Sequence, residues 1–478
     1  MTHDEMLITN GIDALTGRAL VPPLRLSEAA AFLKGAPDDP AVTALLQSIW
    51  RGVKDPHLGL PMDVDPASVP QAGWAVVFHQ DEPPATREAL APLIEHRRGQ
   101  VAEDRIKVLE YRSAGGRGEG RAQWLARHGV GAGTVDPTKV PFYLLLVGGP
   151  EKIPFTFGHL LDVEYAVGLL QFDTAEEYAR YAESVVRYET GEPVISVARA
   201  KEAVFFATRH DYDRATQLSA DSLVQPLANG KALAECRGFR SLSLVQDEAT
   251  KERLSQLFDP PAGTRPPAFL FTATHGVGFP CGHSLQLAAQ GALLCQDWSG
   301  FGALSPEHYF AAADLPASAR VHGLVAFHFA CYGGGTPSHD RFFHKPGMPP
   351  PAIADQPFLA ALPKALLAHP GGGALAVIAH VERAWGYSIV TANAGPQLLP
   401  FENAIGRILS GQPVGHAMKD FNERYAALAT SLSSLVEEVS FGAAVSDFEL
   451  VSSWAERNDA EGYVVLGDPA VQMRVDDL

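Results

Sequence analysis

The chain has 478 residues, and its 38 lysines and arginines against 55 aspartates and glutamates give a formal net charge of −17. A hydrophobic content of 46% is enough for a packed core and excludes a disordered protein. This acidity disfavours nucleic acid as the main partner, because phosphate binding needs a basic surface. At about 150 residues per domain, the length predicts two or three domains.

The chain's beginning and its cysteines indicate the compartment. The first residues, MTHDEMLITNGID, are acidic and lack the basic flank and apolar run of a signal peptide. No stretch approaches the roughly 18 apolar residues of a membrane helix, so no membrane partner is expected. The four scattered cysteines do not make a disulfide scaffold. We therefore expect a cytoplasmic protein with reduced thiols.

Residues 1–72 are predicted to form an irregular N-terminal extension packed on the first domain. Short helical patterns lie at residues 26–33 and 41–50, among turns rich in proline and aspartate such as GAPDDP.

Residues 73–195 alternate between short apolar runs and helical patterns, which is typical of a parallel sheet covered by helices. Strands are predicted at residues 74–78, 106–109 and 142–147, and helices at 86–101, 122–127 and 176–189, the last capped by Asp173 or Thr174.

Residues 196–478 repeat this alternation without a clear sequence repeat. Strands are predicted at 203–207, 241–245, 269–274, 321–330, 374–379 and 463–466, a β-hairpin at 285–294, and helices at 215–227, 251–258, 402–409 and 414–439. The predicted fold class is thus α/β, with two successive three-layer α/β units and mostly parallel sheets.

Two reactive residues end apolar strands of the second unit: His275 in FLFTATHG and Cys331 in LVAFHFAC. Ligands of open parallel sheets bind at the carboxyl ends of strands, so neighbouring strands would bring the thiol and the imidazole together. Such a pair forms a competent nucleophile, and the adjacent glycines let backbone N–H groups approach a developing oxyanion. A buried structural cysteine and a hydrogen-bonded core histidine are the alternative interpretation.

The two motifs resemble the His-Gly and Ala-Cys blocks of caspase-like (clan CD) cysteine peptidases. Three further segments resemble the gingipain-type family within that group: VPFYLLLVGGPEKIPF, VEYAVGLLQFDTAEEYARYAESVVRYE and YVVLGDPAVQM. The resemblance covers about residues 74–475. One departure is Leu169-Leu170, which stands where the joining strand usually carries an arginine.

The resemblance implies a second unit with a caspase-like fold and a cysteine endopeptidase that hydrolyses peptide bonds through an acyl-enzyme. Cys331 would be the nucleophile and His275 the general base and acid, with the N–H groups of Gly276 and Cys331 as the oxyanion hole. No residue that orients His275 can be named from the sequence. The chain would cut a protein or peptide substrate as a regulated effector of bacterial stress or antiviral defence, activated by a partner protein or by processing.

The resemblance also bears on specificity. Gingipains that cut after arginine use an acid beyond the first catalytic-domain strand and a tryptophan beyond a later strand. Asp211 and Asp213 occupy the first position here, and Glu382 and Trp385 the second, which favours cleavage after arginine or lysine. The acids could instead be solvated loop residues. Arg209 and Arg214 flank the same loop and leave open a protease with acidic specificity.

Other signals are weaker. Cys281, His283 and Cys295 lack the paired spacing of zinc ligands, so no metal or other cofactor is expected. His322 and His328 are interpreted as packed or paired core groups. A caspase-fold protein that acts as a non-catalytic binding or regulatory module remains the alternative to the enzyme.

Overall fold

The computed structural model of the chain describes residues 6–7, 9–20, 24–25, 60–114, 117–131, 133–191, 199–230, 238–341, 349–391 and 395–478. The helical patterns predicted at residues 26–33 and 41–50 lie outside these ranges, as does Cys236.

A ten-stranded sheet forms the centre of the described structure. Buried apolar runs build its inner strands, as expected where helices cover both faces. Its strands are β1 (Trp74–His79), β2 (Ile106–Tyr111), β3 (Tyr143–Val147), β4 (Ala166–Leu170), β5 (Ala200–Ala207), β6 (Arg240–Val245), β7 (Pro267–Ala273), β8 (Val325–Phe329), β9 (Ala376–His380) and β10 (Tyr463–Gly467).

The strand order is β6-β5-β7-β8-β9-β10-β4-β3-β1-β2. Neighbouring strands are parallel throughout, except that β10 is antiparallel to β9. The sheet therefore has two halves that run in opposite directions, and β10, although predicted for the second unit, runs with the strands of the first. The α/β class with a mostly parallel sheet is confirmed, whereas the division at residue 195 stays a prediction.

Helices cover the sheet, and several of them begin with a side-chain cap. The helix Ala175–Thr190, for example, begins with a capping box in which Thr174 and Glu177 satisfy each other's backbone N–H groups, and it ends at Gly191 with φ +73°. The α-helices are Val69–Ala72, Pro84–Ala89, Ala91–Arg98, Arg121–Arg127, Phe155–Asp162, Ala175–Thr190, Arg214–Ser219, Gln225–Asn229, Lys251–Phe258, Gln286–Ala289, Ala361–Leu367, Leu399–Leu409, Val414–Ala417, Lys419–Ser440 and Asp447–Glu461.

The two halves share one apolar core and are joined by buried polar contacts of Asp468, here called the polar clasp. Buried residues of β1, β3, β7, β8 and β9 belong to the same apolar cluster. Just beyond β10, the Asp468 carboxylate accepts hydrogen bonds from Trp74 Nε1 (2.9 Å) and Arg97 Nε (2.8 Å). Arg97 also pairs with Glu189 at 2.6 Å. These buried contacts tie the end of β10 to the first half of the sheet.

The prediction of a β-hairpin at residues 285–294 is wrong. Residues 285–294 do not form a β-hairpin: they contain the short helix Gln286–Ala289, and Leu293–Leu294 pairs instead with Tyr309–Phe310. The Gln286 side chain stabilises this arrangement by donating to the carbonyls of Phe279 (3.2 Å) and Ile353 (2.7 Å).

The N-terminal extension is not packed on the first unit as a whole. Residues 60–72 do lie there, since the Phe142 N–H donates to the Ala72 carbonyl at 2.9 Å. Residues 9–20, however, pack on the second half of the sheet, where their backbone forms strand pairings with segments 276–278 and 384–385. Among the described residues, no helix combines the length and the apolar character needed to cross a membrane.

Candidate active site

His275 and Cys331 follow adjacent strands of the sheet. β7 and β8 are parallel and in register up to Ala273 and Phe329, so the two chains leave the sheet side by side. A Cβ placed on Gly276 would lie 1.7 Å from the Cys331 carbonyl oxygen and 2.8 Å from the Cys331 nitrogen. Only glycine permits this approach, which brings the two segments into backbone contact.

The His275 imidazole is held by Asp213. Its Nε2 lies 2.5 Å from Asp213 Oδ2, and its buried Nδ1 has no hydrogen-bond partner among the described residues. A carboxylate at Nε2 fixes the tautomer that donates from Nε2 and leaves Nδ1 unprotonated. The unpartnered nitrogen is therefore the one that can accept a proton.

Asp213 is positioned by its own local structure. It follows β5, the strand beside β7, and caps the helix Arg214–Ser219 by accepting from the Ala215 N–H at 3.1 Å. The Thr216 hydroxyl donates to Oδ2 at 2.9 Å. Burial alone would raise the pKa of Asp213, but its interaction with the adjacent His275 imidazole and these hydrogen bonds outweigh burial and hold the pKa well below its usual range. The Asp213 carboxylate is thus negatively charged, and both of its oxygens are in hydrogen-bond contact with neighbouring groups.

The Cys331 thiol is buried and in a resting state. Its Sγ accepts the Ala384 N–H at 3.2 Å and lies 3.7 Å from the Ala384 carbonyl. Burial raises the pKa of Cys331 to about 12, although the Ala384 N–H and Arg383 favour the thiolate. At neutral pH the sulfur is therefore a protonated thiol in this arrangement.

The loops around the site carry backbone strain. Of the four non-glycine residues with positive φ in the described structure, three lie in these loops: Tyr212 (64°), Tyr332 (59°) and Glu382 (66°). Tyr332 follows the candidate nucleophile, and its N–H donates to the Glu382 carbonyl at 2.5 Å. Such conformations are costly and recur at functional sites, where the surrounding structure holds them in place.

A strand from the N-terminal region covers Cys331. Thr9–Asn10 pairs antiparallel with Ala384–Trp385, and Ile12–Asp13 pairs parallel with Val277–Gly278. A Cβ on Gly11, between these pairs, would lie 3.2 Å from Cys331 Sγ. Cys331 consequently has no exposed surface. Two-residue pairings have no periodicity, so this feature could not be found from the sequence.

The four residues predicted to bind substrate are placed differently. Asp213 is engaged by His275 through its Oδ2, and its role in substrate binding stays a prediction. Asp211, two positions earlier, is exposed. Glu382 Oε1 accepts a hydrogen bond from Arg383 Nη1 at 3.0 Å. Trp385 is 2% exposed, and its backbone N–H donates to Asp459 Oδ1.

A cavity of about 220 Å³ lies beside Trp385 and Glu382. Its wall carries the cations of Arg341 and Arg383 as well as the carboxylates of Glu382 and Glu461. Arg341 pairs with Glu461 at 3.0 Å. The mixed charge of this cavity does not by itself select a basic or an acidic ligand.

The described residues include two further cysteines, Cys281 and Cys295, and the histidines His322 and His328. Cys281 is exposed and its Sγ lies 3.6 Å from Asp355 Oδ1, whereas Cys295 is buried. His322 and His328 bond to Ser184 and Thr272, as expected of paired core groups. The described residues contain no cluster of three or more histidines, cysteines or carboxylates that could hold a metal ion.

Comparison with known proteins gives distant structural neighbours. No family model and no curated protein matches the chain. One similar solved structure is described as that of a protease, with 14% identity, a TM-score of 0.47, and coverage of 84% of this chain and 78% of the other. Another is the complex of the pro- and mature domains of RgpB from Porphyromonas gingivalis, with 13% identity, a TM-score of 0.46, and coverage of 84% and 80%. The chemistry of this chain must therefore be argued from its own site.

Proposed function

We propose that this protein is a cysteine endopeptidase that uses Cys331 as nucleophile and His275 as general base and acid. The observation that carries the proposal is His275 itself: Asp213 holds Nε2 at 2.5 Å, while Nδ1 is buried without a partner at the strand edge that also bears Cys331. A histidine oriented by a carboxylate, on the same sheet edge as a thiol, supplies the two groups that nucleophilic catalysis needs. Asp213 supplies the orienting residue that the sequence motifs do not identify.

The reaction follows from these roles. His275 Nδ1 takes the Cys331 proton as Sγ attacks the substrate carbonyl carbon, and the N–H groups of Gly276 and Cys331 stabilise the oxyanion. The C–N bond then breaks, and His275 returns the proton to the leaving amine. Water hydrolyses the resulting thioester and restores the thiol. The charged Asp213 stabilises the imidazolium that forms in both steps.

The same proposal includes cleavage after arginine or lysine. Since Asp213 is engaged by His275, Asp211 is the carboxylate of this loop that remains exposed for a basic side chain. Glu382 is a weaker candidate, because burial raises its pKa despite the neighbouring Arg383 and Arg341. The role as an effector of bacterial stress or antiviral defence rests on the motif resemblance alone, and the cytoplasmic location rests on the sequence features described above.

A non-catalytic binding protein is the second candidate. The covered, protonated Cys331 favours it, because a chain locked in this arrangement could not form an acyl-enzyme.

The test uses peptide reporters with arginine, lysine, asparagine or aspartate before the scissile bond. Cys331→Ala and His275→Ala should abolish cleavage, measured in a parent chain whose strand over Cys331 has been released, and should leave the thermal unfolding midpoint within a few degrees of that parent. Labelling of Cys331 by a peptidyl electrophile, located by mass spectrometry, would show the acyl-enzyme position directly. Cleavage that survives Cys331→Ala unchanged would exclude this thiol as the nucleophile.

A further inference from the structure

The strand over Cys331 lies between the two segments that flank the candidate catalytic pair. On one side the Ile12 N–H donates to the Gly276 carbonyl (3.2 Å) and the Ala14 N–H to the Gly278 carbonyl (2.8 Å). On the other side Thr9–Asn10 pairs with Ala384–Trp385. An extended peptide that adds a strand to exposed backbone edges is a common mode of peptide recognition.

The register places one peptide bond at the candidate oxyanion hole. In a parallel ladder the hydrogen bonds of one residue alternate between two residues of its neighbour. Ile12 pairs with Val277, and its N–H donates to the Gly276 carbonyl. Continuing the same alternation by one step directs the N–H of Gly276 towards Asn10. The Gly11 carbonyl is occupied elsewhere, since it accepts the Leu20 N–H at 2.9 Å. The Asn10–Gly11 bond therefore lies where the bond to be cut in a substrate would lie.

The strand is anchored outside the groove by a tight hairpin. The Asp13 N–H donates to the Arg18 carbonyl, and the Gly17 N–H to the Asp13 carbonyl, each at 2.9 Å. Gly17 has φ +63°, and a Cβ at this position would lie 1.7 Å from the Gly302 carbonyl oxygen. Ile12 and Ala14 pack in a small apolar cluster with Val277 and Trp298.

We propose that residues 9–14 are an internal ligand of a peptide-binding groove formed by residues 276–278 and 384–385, and that this strand keeps the chain latent. The groove takes an extended peptide: residues before the scissile bond pair antiparallel with Ala384–Trp385, and residues after it pair parallel with Val277–Gly278. Latency here means that the proposed peptidase is inactive, so this part of the proposal rests on the proposed function. The occupancy of the groove can be tested without catalysis.

The strand escapes cleavage because the sulfur beneath it is not paired with its base: His275 Nδ1 has no hydrogen-bond partner among the described residues. Sγ is held by the Ala384 N–H at 3.2 Å, and the cover that the strand provides removes Cys331 from solvent. A buried thiol is a poor nucleophile. A substrate gains access only when the strand leaves the groove.

The test opens the groove in the full-length chain and measures the reactivity of Cys331. Gly17→Val forces a β-branched residue into positive φ against the Gly302 backbone, which releases the hairpin without altering any catalytic or groove residue. Gly263→Val is the matched control, since Gly263 has φ +86° and nothing within 4 Å of its Cβ position. Alkylation by iodoacetamide is followed by mass spectrometry of the Cys331 peptide, which separates it from the other three cysteines.

We expect Cys331 in Gly17→Val to react at least about tenfold faster than in the wild type or in Gly263→Val, a factor that corresponds to about 1.4 kcal/mol. Leu20→Asp is the second variant, because Leu20 contacts the backbone of both Gly11 and Gly278. A synthetic peptide of residues 6–20 should slow alkylation of either variant again. Circular dichroism and thermal unfolding identify a variant that has lost its fold.

Equal alkylation rates in the wild type and in both folded groove variants would overturn the proposal. The proposal would also be overturned if the wild type, but not Cys331→Ala, lost residues 1–10 by cleavage, because the strand would then be a substrate and not a ligand. Faster alkylation without any peptide cleavage would support the internal ligand and contradict the proposed peptidase. The two hypotheses can therefore fail separately.

Discussion

Replacing Asp213 by asparagine should impair turnover without unfolding the protein. Asparagine caps helices about as well as aspartate, so the helix Arg214–Ser219 should keep its N-terminus and the unfolding midpoint should change by only a few degrees. What disappears is the negative charge 2.5 Å from His275 Nε2. A hydrogen bond to a charged group contributes about 1.5–3 kcal/mol. At about 1.4 kcal/mol per factor of ten, kcat should fall roughly 10- to 150-fold.

The assay is steady-state cleavage of peptide reporters in the Gly17→Val background, in which the groove is open. Asp213 acts through His275 and does not touch the substrate, so kcat should fall for every reporter while KM stays unchanged. Asp213→Glu, which restores the charge, should recover part of kcat. A variant Asp213→Asn that keeps kcat within threefold, or that raises KM only for reporters with arginine or lysine, would refute the positioning role and return Asp213 to substrate binding.

Three further predictions follow from the same contacts. Asp211→Asn should raise KM severalfold for arginine and lysine reporters and leave other reporters unchanged; equal effects on all reporters would remove Asp211 from the specificity site. Gly276→Ala should abolish cleavage and lower the free energy of unfolding by about 1–3 kcal/mol, measured by denaturant titration, because its Cβ would overlap the Cys331 carbonyl. The third concerns Glu189: burial alone would raise its pKa, but Arg97 and His96 lower it to about 2. Its folded-state pKa is thus below its unfolded value, so its contribution of roughly 3 kcal/mol is present above about pH 4.5 and is lost as pH falls towards 2. Glu189→Gln should weaken this pH dependence in unfolding curves recorded between pH 7 and 3.

The sequence was most informative where one rule covered a whole element. Apolar runs bounded by turns marked the inner strands, and the rule that ligands bind at strand ends brought His275 and Cys331 to one edge, where β7 and β8 indeed pair. The same rule did not reveal the role of Asp213. This residue also follows a strand, β5, that is adjacent to β7, but the adjacency cannot be read from the order of strands along the chain.

Other features depend on contacts without a local signal. The pairing of Leu293–Leu294 with Tyr309–Phe310 is set by partners outside the predicted hairpin. The strand at residues 9–14 consists of two-residue pairings, whose stability comes from the groove and not from their own propensity. The helix Asp447–Glu461 was not predicted. Its inner face packs polar groups, such as Asp459 on Ser388, which interrupt the apolar periodicity.

The placement of β10 has a consequence for how the chain acquires its structure. This strand is the last of the ten in chain order, yet it lies in the middle of the sheet, and the clasp beyond it joins Asp468 to Trp74 across 394 residues. Pairings between such distant residues form slowly, because a long loop must close before the contact stabilises it. Until residues 463–467 leave the ribosome, β9 and β4 each present an unpaired edge, and open edges invite pairing with other chains. The arrival of residues 463–467 is therefore the step that joins the two halves into one sheet.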